Sequence, residues 1–309
     1  MKDKEHPSVL RFSHFAMGTT FEVMLAEIDK DYARQISQAV FGEVDRITRI
    51  FSRFDPTSEI GQINRLRVGQ SLRIGVETYE CLRTALEVQI ETQGAFDINI
   101  GALMKYREAG FPEGRPPRTD ILKQMVLSQK SRGYAVKYLP TFEGEKPAEM
   151  SLDLGGIGKG YALDCTMEIL SDWGVRMALV HGGTSSALSL GTPPEGEGQE
   201  KGWPVGIGGD WKCPDMPEKF YLKDRAMSGS GTEVKGTHIF DPRTNKPAKG
   251  HRAAWVSHPS AAVADALSTA FMVMNTEEVA AYCREHPEVW ALLVIDPQTC
   301  QVFNPDLAP

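Results

Sequence analysis

Short apolar runs separated by glycine and proline turns fill the second half of the chain, and this spacing limits the possible folds more than any other feature. Such runs predict strands, and the short turns between them predict antiparallel neighbours. The predicted strands are residues 177–180, 187–190, 205–207, 219–222 and 253–257, followed by a terminal hairpin at 290–296 and 301–303. Because helices and strands do not alternate one to one, we predict an α+β fold with mainly antiparallel sheets and packed helices rather than a doubly wound sheet.

The first half of the chain combines a predicted hairpin with amphipathic helices. Strands at 9–15 and 20–25 flank Met17-Gly18-Thr19, and apolar residues then recur at helical spacing from Ile36 to Phe51. The remaining predictions are helices at 78–93, 120–129, 261–274 and 276–285, a strand at 134–139, and a long loop at 107–120 that is rich in proline and glycine.

Charge and composition exclude several classes of function. The chain has 34 Lys and Arg against 41 Asp and Glu, a net charge of −7, which argues against binding to nucleic acid or to an anionic membrane surface. The longest apolar run, 289–295, is far shorter than the ~20 residues of a membrane span. With no signal peptide or lipobox cysteine at the start, we expect a cytoplasmic protein. Five cysteines without a C-x-x-C pair predict unlinked thiols in a reducing compartment.

The segment LDLGGIGKGYALD (152–164) reads as a strand, a glycine-rich turn and a helix. Backbone N–H groups at such a helix start suit a phosphate, and Lys159 can reach a second anionic oxygen. The segment is not a Walker A loop, because Gly160 follows the lysine, and it is not a dinucleotide fingerprint, because Tyr161 stands where the third glycine belongs. The alternative is that the glycines allow only tight packing between the strand and the helix.

The segment AAVADALSTAFMVM (261–274) predicts a buried helix that carries a carboxylate. Asp265 and Thr269 are four residues apart and share one face, with Ser268 beside them. A buried carboxylate needs a partner, and carboxylate and hydroxyl oxygens are ligands that suit Mg²⁺. The alternative is that Asp265 caps a helix or pairs with an arginine, while Thr269 bonds back to the carbonyl four residues earlier.

Three further segments carry polar side chains at predicted turns. In THIFDPRTNKP (237–247), His238 shares a face with Phe240, and it is either a functional imidazole or a structural one. The segments HGGTSS (181–186) and SGSG (228–231) read as permissive turns with hydroxyl groups, and neither is informative alone.

Taken together and in this order, these segments resemble the ApbE-type FAD:protein FMN transferases, the flavin transferase family. The resemblance runs from Met17 to about Met274. It rests on MGTTFEV, FSRFDPTSEIGQIN, GAFDINIGAL, LDLGGIGKGYALD, ALVHGGTSSALSLG, SGSG, HIFDPRTNKP and SAAVADALSTAFMVM. It implies an ApbE-like, T-fold-related α+β fold. It also implies a single unit over residues 1–309, and this unit can consist of two lobes with the FAD site between them.

The resemblance also implies a reaction and its residues. A Mg²⁺-dependent enzyme of this kind transfers the FMN moiety of FAD to a Thr or Ser hydroxyl of a target flavoprotein, within an Asp-Gly-x-Ser/Thr-x-Ala-Thr segment, and releases AMP. His238 matches the general base, and Lys159 the cation beside the pyrophosphate. The FAD-lining positions are Met17, Phe54, Ala95, Phe96, Asp97, Asp153, Lys159 and Ile239, and the metal-ligand positions are Gly156 (through its carbonyl), Asp265 and Thr269.

Three positions depart from the family pattern. Phe54 replaces a frequent tyrosine, Asn245 replaces a turn glycine and is expected to tolerate a positive φ, and Ser268 replaces a carboxylate found in some members. The same site with water as acceptor would make the protein an FAD pyrophosphatase that yields FMN and AMP, and a site without turnover would make it an FAD carrier.

Overall fold

The computed structural model describes residues 9–110, 124–131, 133–140, 149–196, 198–209, 211, 213, 219–232, 239–248 and 250–309. The strands are β1 (Leu10–Ala16), β2 (Thr19–Leu25), β3 (Ser71–Ile74), β4 (Met125–Lys130), β5 (Gly133–Tyr138), β6 (Ala178–Gly182), β7 (Ser186–Leu190), β8 (Trp203–Val205), β9 (Phe220–Leu222), β10 (Ala226–Gly231), β11 (Phe240–Asp241), β12 (Lys246–Pro247), β13 (Ala253–His258), β14 (Trp290–Asp296) and β15 (Thr299–Phe303). The helices are α1 (Lys30–Phe51), α2 (Glu59–Ile63), α3 (Val76–Glu91), α4 (Gly101–Glu108), α5 (Gly158–Asp172), α6 (Gly198–Lys201), α7 (Ala261–Phe271) and α8 (Thr276–Glu285), with a 3₁₀ turn at Pro305–Leu307.

A large antiparallel sheet organises the part of the chain that the structure describes. Its strand order is β1-β2-β6-β7-β10-β13-β14-β15, and every adjacent pair is antiparallel. Helices α1, α5 and α7 pack against it. This architecture confirms the prediction of an α+β fold with mainly antiparallel sheets and packed helices.

The first hairpin closes through a two-residue turn. Ala16 pairs with Thr19, and the residues between them, Met17 and Gly18, have φ of 49° and 72°. Positive φ at both central residues gives the turn a twist that matches the strands it joins. The turn places Met17 at one end of the large sheet.

The two faces of the sheet are covered differently. On the helix side, α7 is almost wholly buried between α5 and strands β10 and β13, as the sequence predicts. On the other side, a second apolar cluster includes the β8–β9 hairpin and contains Trp203, Phe220, Trp255 and Trp290.

A separate sheet, in the order β3-β5-β4, lies beside α3. No helix among the described residues has the length and apolar character needed to cross a membrane.

One predicted helix and one predicted strand are wrong. The helix expected at 120–129 is strand β4 from Met125 onward, because Met125–Lys130 pairs with β5 and this tertiary pairing outweighs the local helix propensity; residues 120–123 lie outside the described part. The strand expected before the glycine-rich turn is absent, because residues 149–154 join no β-ladder. Of the loop expected at 107–120, residues 107–108 belong to α4 and residues 109–110 follow it as a turn. Residues 111–120 lie outside the described part.

The prediction of five unlinked thiols is also wrong. Cys213 and Cys300 form a disulfide, with their Cα atoms 5.6 Å apart and a sequence separation of 87. Cys81, Cys165 and Cys283 are free. Spacing in the sequence could not show the pair, because only the fold brings two such distant positions together. The cysteines therefore no longer argue for a reducing compartment.

A carboxylate from α5 caps the start of α7. Asp164 accepts hydrogen bonds from the Ser260 hydroxyl at 2.7 Å and from the N–H groups of Ala261 and Ala262 at 2.7 and 2.9 Å. Burial raises the pKa of the Asp164 carboxyl, and these three donors oppose the rise. The contact satisfies helix-terminal N–H groups that have no partner within α7.

We predict that Asp164→Ala lowers the free energy of unfolding by about 2 kcal/mol, because it leaves buried donors at the start of α7 unsatisfied. A urea titration followed by circular dichroism measures the change. Asp172→Ala, at the exposed end of the same helix, is the control and should stay within about 0.5 kcal/mol of the wild type. An Asp164 variant as stable as this control would contradict the capping role.

We also predict that the unfolded, unreduced protein presents three titratable thiols per chain. After reduction all five cysteines should react, because the disulfide between Cys213 and Cys300 has opened. A colorimetric thiol assay in denaturant, with and without prior reduction, gives both numbers. Five thiols without reduction would show that the disulfide is not formed in the isolated protein.

Candidate active site

A buried carboxylate lies at the centre of the candidate site. Asp265 stands in the middle of α7, a helix that begins at the N-cap Ser260 and consists largely of small apolar residues that pack closely on α5 and the sheet. Its residue exposure is only 3%. A charge this deeply buried is strongly destabilising unless other groups compensate it.

The Asp265 carboxylate is compensated from two neighbouring elements. Lys159 Nζ donates to both of its oxygens, at 3.1 and 3.2 Å, and the Gly160 N–H donates to Oδ2 at 3.1 Å. The Ser186 hydroxyl donates to Oδ1 at 3.4 Å and itself accepts from Ser228 at 2.8 Å. The alternative in which Asp265 has a cationic partner therefore holds in this structure, with a lysine in place of the expected arginine.

Close packing explains one glycine of the turn. A Cβ atom at Gly160 would overlap the carbonyl group of Ala261 on α7. Glycine at this position lets the start of α5 approach α7 closely enough for Lys159 to reach Asp265. The packing interpretation therefore holds for Gly160, and anion binding by this segment stays a prediction.

Hydroxyl groups surround the face of α7 that carries Asp265. Thr269 and Ser268 both donate to the Asp265 carbonyl, at 3.3 and 2.9 Å, and Ser230 lies 3.0 Å from the Ser268 hydroxyl and 3.3 Å from that of Thr269. A Cβ built on Gly156 would be 3.2 Å from Thr269 Oγ1. The structure thus brings together the three predicted metal-ligand residues.

The donor set fits a hard cation that keeps several other ligands. Among the described residues, no group of three or more His, Cys, Asp or Glu side chains could hold a metal ion. One carboxylate, one hydroxyl and one backbone carbonyl remain, at Asp265, Thr269 and Gly156. Mg²⁺ is usually bound by a few protein oxygens, and water and phosphate oxygens complete its coordination shell.

Asparagine side chains replace a strand partner for the segment that leads into the glycine-rich turn. Asn64 accepts from the Leu152 N–H at 2.6 Å and donates to the Leu152 carbonyl at 3.0 Å. Asn99 accepts from the Ser151 N–H at 2.7 Å and donates to the Glu149 carbonyl at 3.0 Å. Together with the bonds from the Gly101 N–H to the Ser151 carbonyl and from the Asp153 N–H to the Ile98 carbonyl, they position the turn that follows.

The segment Ala95-Phe96-Asp97 lies against the glycine-rich turn. All three residues are buried, and a Cβ on Gly156 would be 3.3 Å from the Phe96 ring. Asp97 accepts from the Asn99 N–H at 2.8 Å. The structure therefore joins these predicted residues to the cluster around Asp265.

Asp153 and Phe54 are joined through a residue that the sequence interpretation missed. The Asp153 carboxylate accepts from the Gly155 N–H at 2.8 Å and forms an ion pair with Arg53 Nε at 3.2 Å. The Arg53 guanidinium carbon lies 4.5 Å from the centre of the Phe54 ring, which is 82% exposed. In the sequence, Arg53 lies between the two phenylalanines of FSRFD. An arginine near aromatic residues is too common for this pattern alone to indicate a role.

Other predicted residues are less closely connected. Met17 is half-buried in the β1–β2 turn and Ile239 is buried just before β11, and no hydrogen bond or ion pair of a described residue links either to the Lys159 and Asp265 pair. His238 lies outside the described residues. Asn245 has a φ of 57°, which confirms that asparagine takes the conformation expected of the turn glycine.

The hydroxyls that the sequence left uninformative belong to the site. Ser228 and Ser230 lie on strand β10, so the prediction of a turn at SGSG is wrong. Ser186 begins β7, directly opposite Ser228. The antiparallel register between β7 and β10 places these hydroxyls under α7, and no local pattern could have revealed that pairing.

Comparison with known proteins shows similarity across almost the whole chain. Curated relatives named FAD:protein FMN transferase include one from Treponema pallidum, 28% identical over 83% of this chain and 76% of its own length. Another, from Klebsiella pneumoniae, is 24% identical over 87% of this chain and 79% of its own length.

Solved structures share the fold. The apo form of the flavinyl transferase ApbE from Pseudomonas stutzeri superposes with a TM-score of 0.79 at 22% identity, covering 99% of this chain and 100% of that one. The ApbE protein from Thermotoga maritima has a TM-score of 0.77 at 25% identity, covering 97% and 98%. A sequence model described as the ApbE family matches residues 17–293. The chain therefore belongs to the ApbE family.

Proposed function

We propose that this protein is a FAD:protein FMN transferase. The prediction of an enzyme agrees with the curated relatives, which carry the name of this activity. The finer proposal is that the enzyme moves the FMN moiety of FAD to a Thr or Ser hydroxyl of a target flavoprotein and releases AMP. We propose that residues 1–309 act as one unit in this reaction.

The observation that carries the proposal is the position of Lys159 at the start of α5, paired with the buried Asp265. Backbone N–H groups at a helix start favour an anion, and the lysine adds a positive charge beside them. Transfer of a phosphoryl-linked group depends mainly on positioning and on neutralisation of charge. Lys159 and the positive end of the α5 dipole can supply both to a pyrophosphate, while the N–H groups of Gly158 and Gly160 already donate to the Leu154 carbonyl and to Asp265.

The overall charge of the chain makes a cation at this position more important. A net charge of −7 disfavours the approach of an anionic dinucleotide at long range. Lys159 is already neutralised in part by Asp265, at 3.1 Å. The site therefore needs further positive charge to hold a pyrophosphate.

We propose that Asp265, Thr269 and the Gly156 carbonyl hold Mg²⁺. Bound there, Mg²⁺ would neutralise charge on the pyrophosphate as a Lewis acid. The fully buried Ser268 already donates to the Asp265 carbonyl, so its hydroxyl serves α7 itself. Ser186 and Gly160 would keep the Asp265 carboxylate oriented by donating to its oxygens.

The acceptor hydroxyl needs a base, since an unperturbed Thr or Ser hydroxyl is a poor nucleophile. His238 remains our candidate for that role. A neutral imidazole can take the hydroxyl proton as the oxygen attacks the FMN phosphorus and AMP departs.

The direct test combines the full chain with FAD, MgCl₂ and a purified flavoprotein that carries an Asp-Gly-x-Ser/Thr-x-Ala-Thr segment. We expect a flavin-fluorescent acceptor band on a denaturing gel, a mass increase corresponding to FMN, and AMP by chromatography. An acceptor whose Ser/Thr is changed to Ala is the control. FMN and AMP without labelled acceptor would instead assign the protein as a pyrophosphatase, and unchanged FAD with tight binding would assign it as a carrier.

We predict that Asp265→Asn lowers Mg²⁺-dependent turnover of FAD by about 100-fold or more, because it removes the one carboxylate of the donor set. Asparagine keeps the size of the side chain and an acceptor for Gly160, so the fold should survive. Turnover over a MgCl₂ titration and the Mg²⁺-induced shift in melting temperature measure the effect. Asp306→Asn, at an exposed position, is the control. Equal activity and an equal melting shift in the Asp265 variant would remove the metal assignment.

A further inference from the structure

Arg53 connects two parts of the candidate site that no regular element joins. It lies two residues after the end of α1, and its side chain is 21% exposed. Its Nε pairs with Asp153 Oδ2 at 3.2 Å, while its guanidinium carbon lies 4.5 Å from the centre of the neighbouring Phe54 ring. One side chain thus contacts both an aromatic ring and the segment that leads into α5.

The two faces of the Phe54 ring have different surroundings. The guanidinium covers one face, and the ring as a whole is still 82% exposed. Because so exposed an aromatic ring has few apolar contacts with the rest of the protein, it is free to sample several rotamers unless another group holds it. The cation–π contact with Arg53 restricts the ring and leaves its second face open to a flat ligand.

The other end of the Arg53 contact orders the segment that leads into the glycine-rich turn. Asp153 bonds the Gly155 N–H at 2.8 Å, and its own N–H donates to the Ile98 carbonyl at 2.7 Å. A planar guanidinium can hold a carboxylate with its N–H groups and stack its flat face on a ring, a geometry that an ammonium group lacks. The position of the ring is therefore tied to the position of the turn that precedes Lys159.

We propose that Arg53 is a positioning residue that holds Phe54 as a stacking platform for one of the two flat rings of FAD, at a set distance from the pyrophosphate-binding start of α5. This inference rests on the proposed function, since it assumes that FAD is the ligand. Arg53 acts through Phe54 and Asp153 and takes no part in the chemical step. The guanidinium also offsets the negative charge of Asp153 beside an anionic ligand.

The test is a double-mutant cycle on FAD binding by the full chain, measured by flavin fluorescence and by calorimetry. We expect Arg53→Gln to weaken FAD binding about three- to tenfold. In a Phe54→Ala background the same change should weaken binding by a clearly smaller factor, because the platform is already gone and only the contact with Asp153 is lost. Arg65→Gln, an exposed arginine in the same region, is the control and should bind FAD like the wild type. Equal effects of Arg53→Gln in both backgrounds would overturn the proposal.

Arg53→Lys separates geometry from charge. We expect binding to stay at least about threefold weaker, because lysine keeps the charge but lacks the planar group; wild-type binding in this variant would overturn the proposal. At saturating FAD, kcat should change less than about twofold while KM for FAD rises, and the melting temperature should match that of the Arg65 control. A fall in kcat with unchanged KM would contradict a positioning role.

FMN and AMP, measured as separate ligands, distinguish the two rings. The ligand that loses affinity in Arg53→Gln carries the ring that stacks on Phe54, and loss for neither would overturn the proposal. Because these measurements need no acceptor, they test Arg53 even if no flavoprotein becomes labelled. Absence of labelling with intact FAD binding would refute the proposed transfer and leave the assignment of Arg53 unaffected.

Discussion

The ion pair between Lys159 and Asp265 is the contact on which the organisation of this site depends. Burial of the carboxylate in α7 is tolerated because α5 brings a lysine and a backbone N–H to it and Ser186 donates to it from β7. That approach requires a glycine at position 160, where a side chain would collide with α7. The same close packing places Lys159, at the start of α5, beside the predicted metal ligands. Stability and the proposed chemistry therefore use the same groups.

Polar side chains position the rest of the site, because the segments that form it are not regular strands. Asn64 and Asn99 bond the backbone of residues 149–152 as a neighbouring strand would. Arg53 then links the next residue, Asp153, to an exposed ring. Such bonds fix a loop while leaving its other side accessible, which a ladder on both sides would not allow.

The pattern of the chain predicted much of the fold. The hairpin around Met17, the buried helix with Asp265 and the antiparallel strands of the second half all follow from local periodicity and turn residues. The predictions that were wrong involve segments whose state depends on a distant partner. Met125–Lys130 is a strand because β5 pairs with it, and the SGSG segment is a strand because β7 and β13 flank it. The disulfide between Cys213 and Cys300 belongs to the same class.

By itself, the sequence determined the fold class, the family and the residue types that the site can use, because hydrophobic period, turn glycines and motif order are local properties. It also determined that Asn245 could occupy a left-handed turn. Only the tertiary structure decided which partners those residues meet. Lys159 rather than an arginine compensates Asp265, Ser186 and Ser230 join the site, and Arg53 unites Asp153 with Phe54. Pairings across as many as 106 residues depend on how helices and strands pack in space, which no local pattern encodes.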